Sequence, residues 1–205
     1  MNNIPLYLDD DQIDEYSSSF KRGWKKLVKV LRYRERHPDV AQQLNWLNQK
    51  RINRAIEHFQ KCVAAYPRSW SSMWGLGKAH QAIGDHCTAL QWFEKVYHLK
   101  PDLVDVPLEA STEAMRIGDA QKGLQYAKLA LTVDRRNPNY HANLALAWLL
   151  NQDLDLALEE AKKAVKLDPD SKKIQNVDCY IKKFLMVKDN LPPVIDPVRV
   201  FREKL

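Results

Sequence analysis

Ala55, Ala89, Gly123 and Ala157 are all small, and each stands 34 residues from the next. Ile56, Leu90, Leu124 and Leu158 follow them. Phe59, Phe93, Ala127 and Ala161 come one helical turn later, and Cys62, Val96, Ala130 and Ala164 almost one turn after that. Pro67, Pro101 and Pro169 close three of the units, with Arg135 in the same place in the other. Four units in register, with no insertion between them, mean stacked pairs of helices. A chance succession of helices would not hold so many phases over that length.

The small residues have a packing reason. Two antiparallel helices approach closely where crossing residues are small, so Gly77 is expected to face Ala89 within its hairpin. Gly84 is expected to end a helix in the left-handed conformation. Asp85, Asp119 and Asp153 recur just before each second helix, where a carboxylate caps free N–H groups. The pattern predicts helices near 38–49 and 52–65, 70–83 and 86–99, 104–117 and 120–133, and 138–150 and 154–167. A ninth, near 171–188, has Ile174, Val177, Ile181, Phe184 and Leu185 on one side and lysines elsewhere, as a solenoid's last surface requires.

Leu76-Gly77, the small Ala89, Phe93 and Pro101 at these spacings resemble the tetratricopeptide repeat. The resemblance is best over 70–103 and extends over about 36–171. It implies an all-α, right-handed solenoid of four helical hairpins with capping helices at both ends. Repeat one departs at Gln43 and at Lys50-Arg51, where Gly-Asp is expected, and repeat three has Gly123 in place of alanine. The organisation expected is an acidic segment and basic amphipathic helix over 1–35, repeats at 36–69, 70–103, 104–137 and 138–171, a capping helix over 172–190, and an extended tail over 191–205.

Other classes lose support from the composition. The chain has 205 residues, 45% of them hydrophobic, which suits a folded core. Six glycines are few for a many-turned β protein. The apolar run Leu144–Leu150 is far shorter than the ~20 residues of a membrane span, and the N-terminus lacks a signal peptide's order, so a cytoplasmic protein is expected. Cys62, Cys87 and Cys179 form no CxxC pair. His58 and Cys62 lie one turn apart, but two ligands do not make a metal site. With no phosphate loop, HExxH or serine elbow, the expectation is a non-enzyme with no cofactor and no metal.

The resemblance implies that the first helix of each hairpin lines a concave groove for a partner protein's peptide or helix. The inward phases are then Val40, Leu44 and Leu47; Trp74, Lys78 and Gln81; Asp105, Glu109, Thr112 and Arg116; and Asn139, Asn143, Leu146 and Leu150. Members that grip acidic C-terminal peptides of heat-shock chaperones place Lys, Asn and Arg at set phases. Here those phases hold Val40, Leu44, Gly75, Asp105 and Glu109 in units one to three, or Trp74, Lys78, Glu109, Asn139 and Asn143 in units two to four. Neither set is a carboxylate clamp. A ligand with apolar anchors suits the groove better than an acidic tail.

Two terminal features remain. Ile13, Tyr16, Phe20, Trp24, Leu27 and Leu31 form an apolar stripe among eight bases, including Lys21, Arg22, Lys25, Lys26 and Lys29. The stripe is read first as a cap on the first hairpin. The alternatives are a membrane surface or nucleic acid, either making the protein a peripheral factor that acts through this helix. The tail segment 194–201 is apolar and extended, a candidate ligand for a groove of its own chain or of a second copy. Small-molecule binding is not expected, and homo-oligomerisation is left open.

Overall fold

The computed structural model describes residues 10–36 and 44–187. These form α1 (Asp10–Arg36), α2 (Trp46–Ala65), α3 (Trp70–Ile83), α4 (His86–Leu99), α5 (Val106–Ile117), α6 (Ala120–Val133), α7 (Pro138–Leu150), α8 (Leu154–Leu167) and α9 (Lys172–Val187). The chain divides into two compact units, residues 1–101 and 102–205. Helices pair as α1/α2 and α3/α4 in the first unit and as α5/α6 and α7/α8 in the second, with α9 against α8. The expected tail ligand at 194–201 lies outside the described residues, as does Val40.

The caps follow the sequence. Asp85, Asp119 and Asp153 each accept a backbone N–H three residues on, from Thr88 at 3.2 Å, Lys122 at 2.9 Å and Leu156 at 3.2 Å. Gly84 and Gly118 end α3 and α5 with φ of +81° and +95°, a conformation glycine adopts without steric cost. The fourth hairpin lacks a glycine there, and Gln152 takes φ +65° instead. Asn151 steadies that turn by donating its side-chain amide to Ala147 O and Ala120 O, both at 2.8 Å. Expected and observed helices agree closely from α3 onward. The exception is α5, which starts at Val106 rather than at 104 and takes Pro107 into its first turn.

The first hairpin differs from the expectation. There is no break at Lys50-Arg51. Asn45 caps a single helix whose first turns run through Gln49, Lys50 and Arg51, all good helix formers. The partner of this second helix is α1. A Cβ at Gly23 of α1 would lie 2.9 Å from the Phe59 ring, and one at Gly77 of α3 would lie 2.5 Å from the Phe93 ring. Gly23 therefore does for Phe59 what Gly77 does for Phe93, across a longer connection. The basic amphipathic helix is the first helix of a hairpin rather than an added cap.

The contact at Gly77 adds the Phe93 ring to the neighbours expected there. The atoms nearest a side chain there belong to Phe93. In the third hairpin the small and large residues trade places. Gly123 on α6 makes room for Met115 on α5, where a Cβ would lie 2.6 Å from Met115 Cγ. That explains the glycine in an alanine position. The fourth hairpin is small throughout, with Ala145, Ala157, Ala161 and Ala164 all buried. Ile174, Val177 and Ile181 of α9 close the second unit's core, and Lys172, Lys173, Lys182 and Lys183 face solvent.

Ala89 is fully buried, so Ala89→Leu is expected to destabilise the protein by about 1–3 kcal/mol in urea unfolding. Gly23→Ala tests the placement of α1. Helix propensity alone favours alanine by about 1 kcal/mol, so a net loss of stability reports the Phe59 contact, and a gain would place α1 elsewhere.

Candidate functional site

Within each unit the first helices of successive hairpins touch, α1 with α3 and α5 with α7. Second helices of neighbouring hairpins do not approach in the same way. The first helices thus pack directly on one another within each unit. Side chains on these helices are positioned by contacts that the 34-residue pattern does not contain.

In the first unit, Arg34 near the end of α1 donates through Nη1 to Ala82 O at 2.9 Å and to Gln81 O at 3.4 Å. A guanidinium there bonds to carbonyls of the last turn of α3, of which Gln81 O also accepts Gly84 N–H, and meets the negative end of the helix dipole. At the other end, Tyr16 Oη lies 2.7 Å from Ser69 Oγ and 3.4 Å from Ser72 Oγ, in a buried cluster. Cys62 sits beneath Tyr16 with Sγ 3.6 Å from its carbonyl oxygen, and burial pushes the thiol up to about 11. Polar groups therefore fix α1 to α3 at both ends, and an aromatic group fills the middle. Phe20 and Trp24 meet the Phe59 ring edge-on at 6.2 and 5.5 Å.

Trp74, Lys78 and Gln81 are half-buried on α3, with the Trp74 ring 5.2 Å from that of Phe93. Leu44 and Leu47 do not join them on a first helix. Leu44 packs into the core between α1, α2 and α3, and Leu47 is 48% exposed in the first turn of α2. Their expected helix at 38–49 is replaced by α1, which is why the phase fails.

In the second unit, Glu109, Thr112 and Arg116 on α5 and Leu146 on α7 are half-buried, and Asp105 and Asn139 are exposed at the helix starts. Asn143 is only 7% exposed. Its amide donates to Ser111 Oγ at 2.7 Å, and Ser111 donates to Gly123 O at 2.8 Å. Thr112 lies 3.4 Å from Asn143 Oδ1. Asn143 is thus a strut from α7 through α5 to α6 more than a surface group. Tyr140 donates to Val104 O at 2.8 Å, holding the lead-in of α5. Burial, with Asp105 and Asp134 nearby, pushes its phenol up to about 12. These contacts escaped the sequence reading because they join residues 12 to 36 positions apart and repeat in no other unit.

On α1, Lys21, Arg22, Lys25 and Lys29 are exposed and Lys26 is half-buried. Among the described residues no group of three or more His, Cys, Asp or Glu is gathered to hold a metal ion. No helix among them is long and apolar enough to cross a membrane.

A sequence model described as tetratricopeptide repeat matches residues 47–103 and 108–172. The chain belongs to the tetratricopeptide repeat family. The first match begins inside α2, so α1 lies outside it, as its displaced register requires. The crystal structure of MamA is 16% identical with a TM-score of 0.68, covering 93% of this chain and 90% of that one. TTC0263, a thermophilic TPR protein of Thermus thermophilus, is 19% identical with a TM-score of 0.56, over 82% of this chain and 99% of that one. The first TPR of Spaghetti (RPAP3), bound to the HSP90 peptide SRMEEVD, is 16% identical with a TM-score of 0.53, over 57% of this chain and 93% of that one. A search of curated proteins finds no match. At these identities the likeness is one of fold, an all-α tetratricopeptide-repeat solenoid.

The Ser111 contact is a place to test the strut. Ser111→Ala leaves the Asn143 amide and Gly123 carbonyl buried without that partner, and a loss of about 1–3 kcal/mol in urea unfolding is expected. An unchanged midpoint would mean that Asn143 is held by other means.

Proposed function

We propose that this tetratricopeptide-repeat protein is a binding adaptor or assembly scaffold, holding a peptide or helix of a partner protein against its first helices. The observation that carries this reading is the placement of half-buried and exposed side chains on those helices. Trp74, Lys78 and Gln81 offer one such set in the first unit, and Asp105, Glu109, Thr112, Arg116, Asn139 and Leu146 another in the second. Half-buried side chains on a fixed helix lose little freedom on contact, which favours recognition of an ordered segment. The RPAP3 structure, with its bound HSP90 peptide, supports the class of ligand. Trp74 beside Lys78 in the first unit, and Leu146 with Asp105, Glu109 and Arg116 in the second, each suit a ligand segment with an apolar anchor and charge.

The competing reading gives α1 to a membrane surface or to nucleic acid. A membrane-surface helix inserts its apolar face, and here Tyr16, Leu27 and Val30 are buried against α2 and α3. The partner-binding reading needs no such rearrangement.

Trp74→Ala together with Lys78→Ala and Asn139→Ala is expected to abolish recovery of a partner identified by affinity capture and mass spectrometry. Melting of the purified variant serves as the control, since the Trp74 ring rests on Phe93. Lys78→Ala with Asn139→Ala alone keeps that contact and should still weaken capture. Full capture by both variants would move the site off the first helices.

A further inference from the structure

α1 carries far more positive charge than its packing uses. Tyr16, Leu27 and Val30 are buried, and Gly23 is seated on Phe59, which fixes the side facing α2 and α3. At 3.6 residues per turn, Lys21, Lys25, Lys29, Arg32 and Arg36 fall on the opposite side. All five are exposed. They form a ridge of about 22 Å with neighbours ~5–6 Å apart along the axis. Arg22, exposed, and Lys26, half-buried, flank it on one side. Among the described residues, none of these seven cations forms an ion pair or hydrogen bond. Arg34, by contrast, is committed to the α3 carbonyls.

The positive region extends onto α2. His58 there is held below the usual imidazole range by burial first, then by Lys26, Arg22 and Lys61, with Glu57 opposing. Its Nδ1 is buried with no hydrogen-bond partner. A row of unpaired like charges repels itself, and an anionic partner relieves that repulsion as well as adding attraction.

We propose that this ridge docks an acidic helix of a partner protein, one whose Asp and Glu recur every third or fourth residue over about four turns. The spacing is the first reason, because carboxylates on such a helix stand at the same ~5–6 Å interval as the cations. The second is the lopsided distribution of charge. Arg22 and Lys26 lie on one flank only, and the other carries Phe20, Trp24 and Leu31, which pack into the core. A helix seated in a duplex groove has phosphates on both sides. Single-stranded nucleic acid calls for aromatic platforms beside the cations, and Trp24 is taken up by Phe59. A lipid surface calls for an apolar face to insert, and that face is buried. Asp14 and Glu35, both exposed near the two ends of the ridge, repel carboxylates there and limit the register.

The ridge uses none of the residues named on α3, α5 and α7, so it stands or falls independently of that reading. The test uses the full chain and fluorescence anisotropy. The probe is a labelled alanine-based helical peptide with glutamate at every fourth position over four turns. The comparison ligands are a peptide of equal composition with its glutamates in one block, a short random-sequence DNA duplex, and vesicles of mixed phosphatidylcholine and phosphatidylserine. The periodic peptide is expected to bind best. Lys21→Gln with Lys25→Gln and Lys29→Gln should weaken it about tenfold, the summed worth of three exposed pairs. Binding should weaken as salt is raised. The melting temperature should not fall, since all three lysines are exposed and unpaired among the described residues; Lys25→Gln alone, with a smaller loss of binding, serves if the triple variant proves unstable. Equal binding of the block peptide, tighter binding of duplex or vesicles, or unchanged affinity in the glutamine variants would each overturn the proposal.

Discussion

An aromatic ring lying where a neighbouring helix has no side chain is the contact on which the first unit is built. Phe59 and Phe93 are fully buried, each pressed against glycine of a facing helix. Phe59 is shared, because Gly75 of α3 also abuts it, with a Cβ there falling 2.6 Å from the ring. One side chain thus closes the first hairpin and joins it to the second. The glycines weaken their own helices by about 1 kcal/mol each relative to alanine, and the large apolar area of a buried phenylalanine offsets that cost. The second unit solves the same problem with the sizes reversed, Gly123 on the second helix receiving Met115 from the first.

The displaced register of α1 follows from this constraint. What a second helix requires is a facing helix with a gap at the ring. Loop closure entropy grows slowly with loop length. A connection longer than that of the other hairpins is therefore compatible with the same packing, provided that a glycine arrives opposite Phe59. Its consequence is that the helix recruited this way brings with it a row of exposed cations, none of them paired among the described residues.

Repeat packing and recognition place different demands on a first helix. Ala79, Ala110 and Ala145 are buried because neighbouring helices close over them. Trp74, Lys78, Glu109 and Thr112 stay half-buried on the same helices, and nothing in the repeat restricts their chemistry. Asn143 and Ser111 lie between these classes. They are polar and buried, and together they connect three helices, giving that corner of the fold one hydrogen-bonded arrangement that an apolar pair would not specify.

The amino-acid sequence by itself determined the helical hairpins, the aspartate caps, the left-handed Gly84, the closing role of α9 and the family. Each rests on local chemistry or on a spacing repeated in several units. Where the pattern had an outlier, at Gln43 and at Lys50-Arg51, the first helix of the first hairpin was misplaced, and Leu44 and Leu47 with it. Tertiary structure alone decided that Gly23 of α1 faces Phe59, that Arg34 and Tyr16 lock α1 to α3, and that Asn143 is a strut. These outcomes depend on residues far apart in the chain meeting once, and a contact made once leaves no period to read. Periodicity reports what every unit must bury; the surface and the single cross-links are set by the particular neighbours that folding brings together.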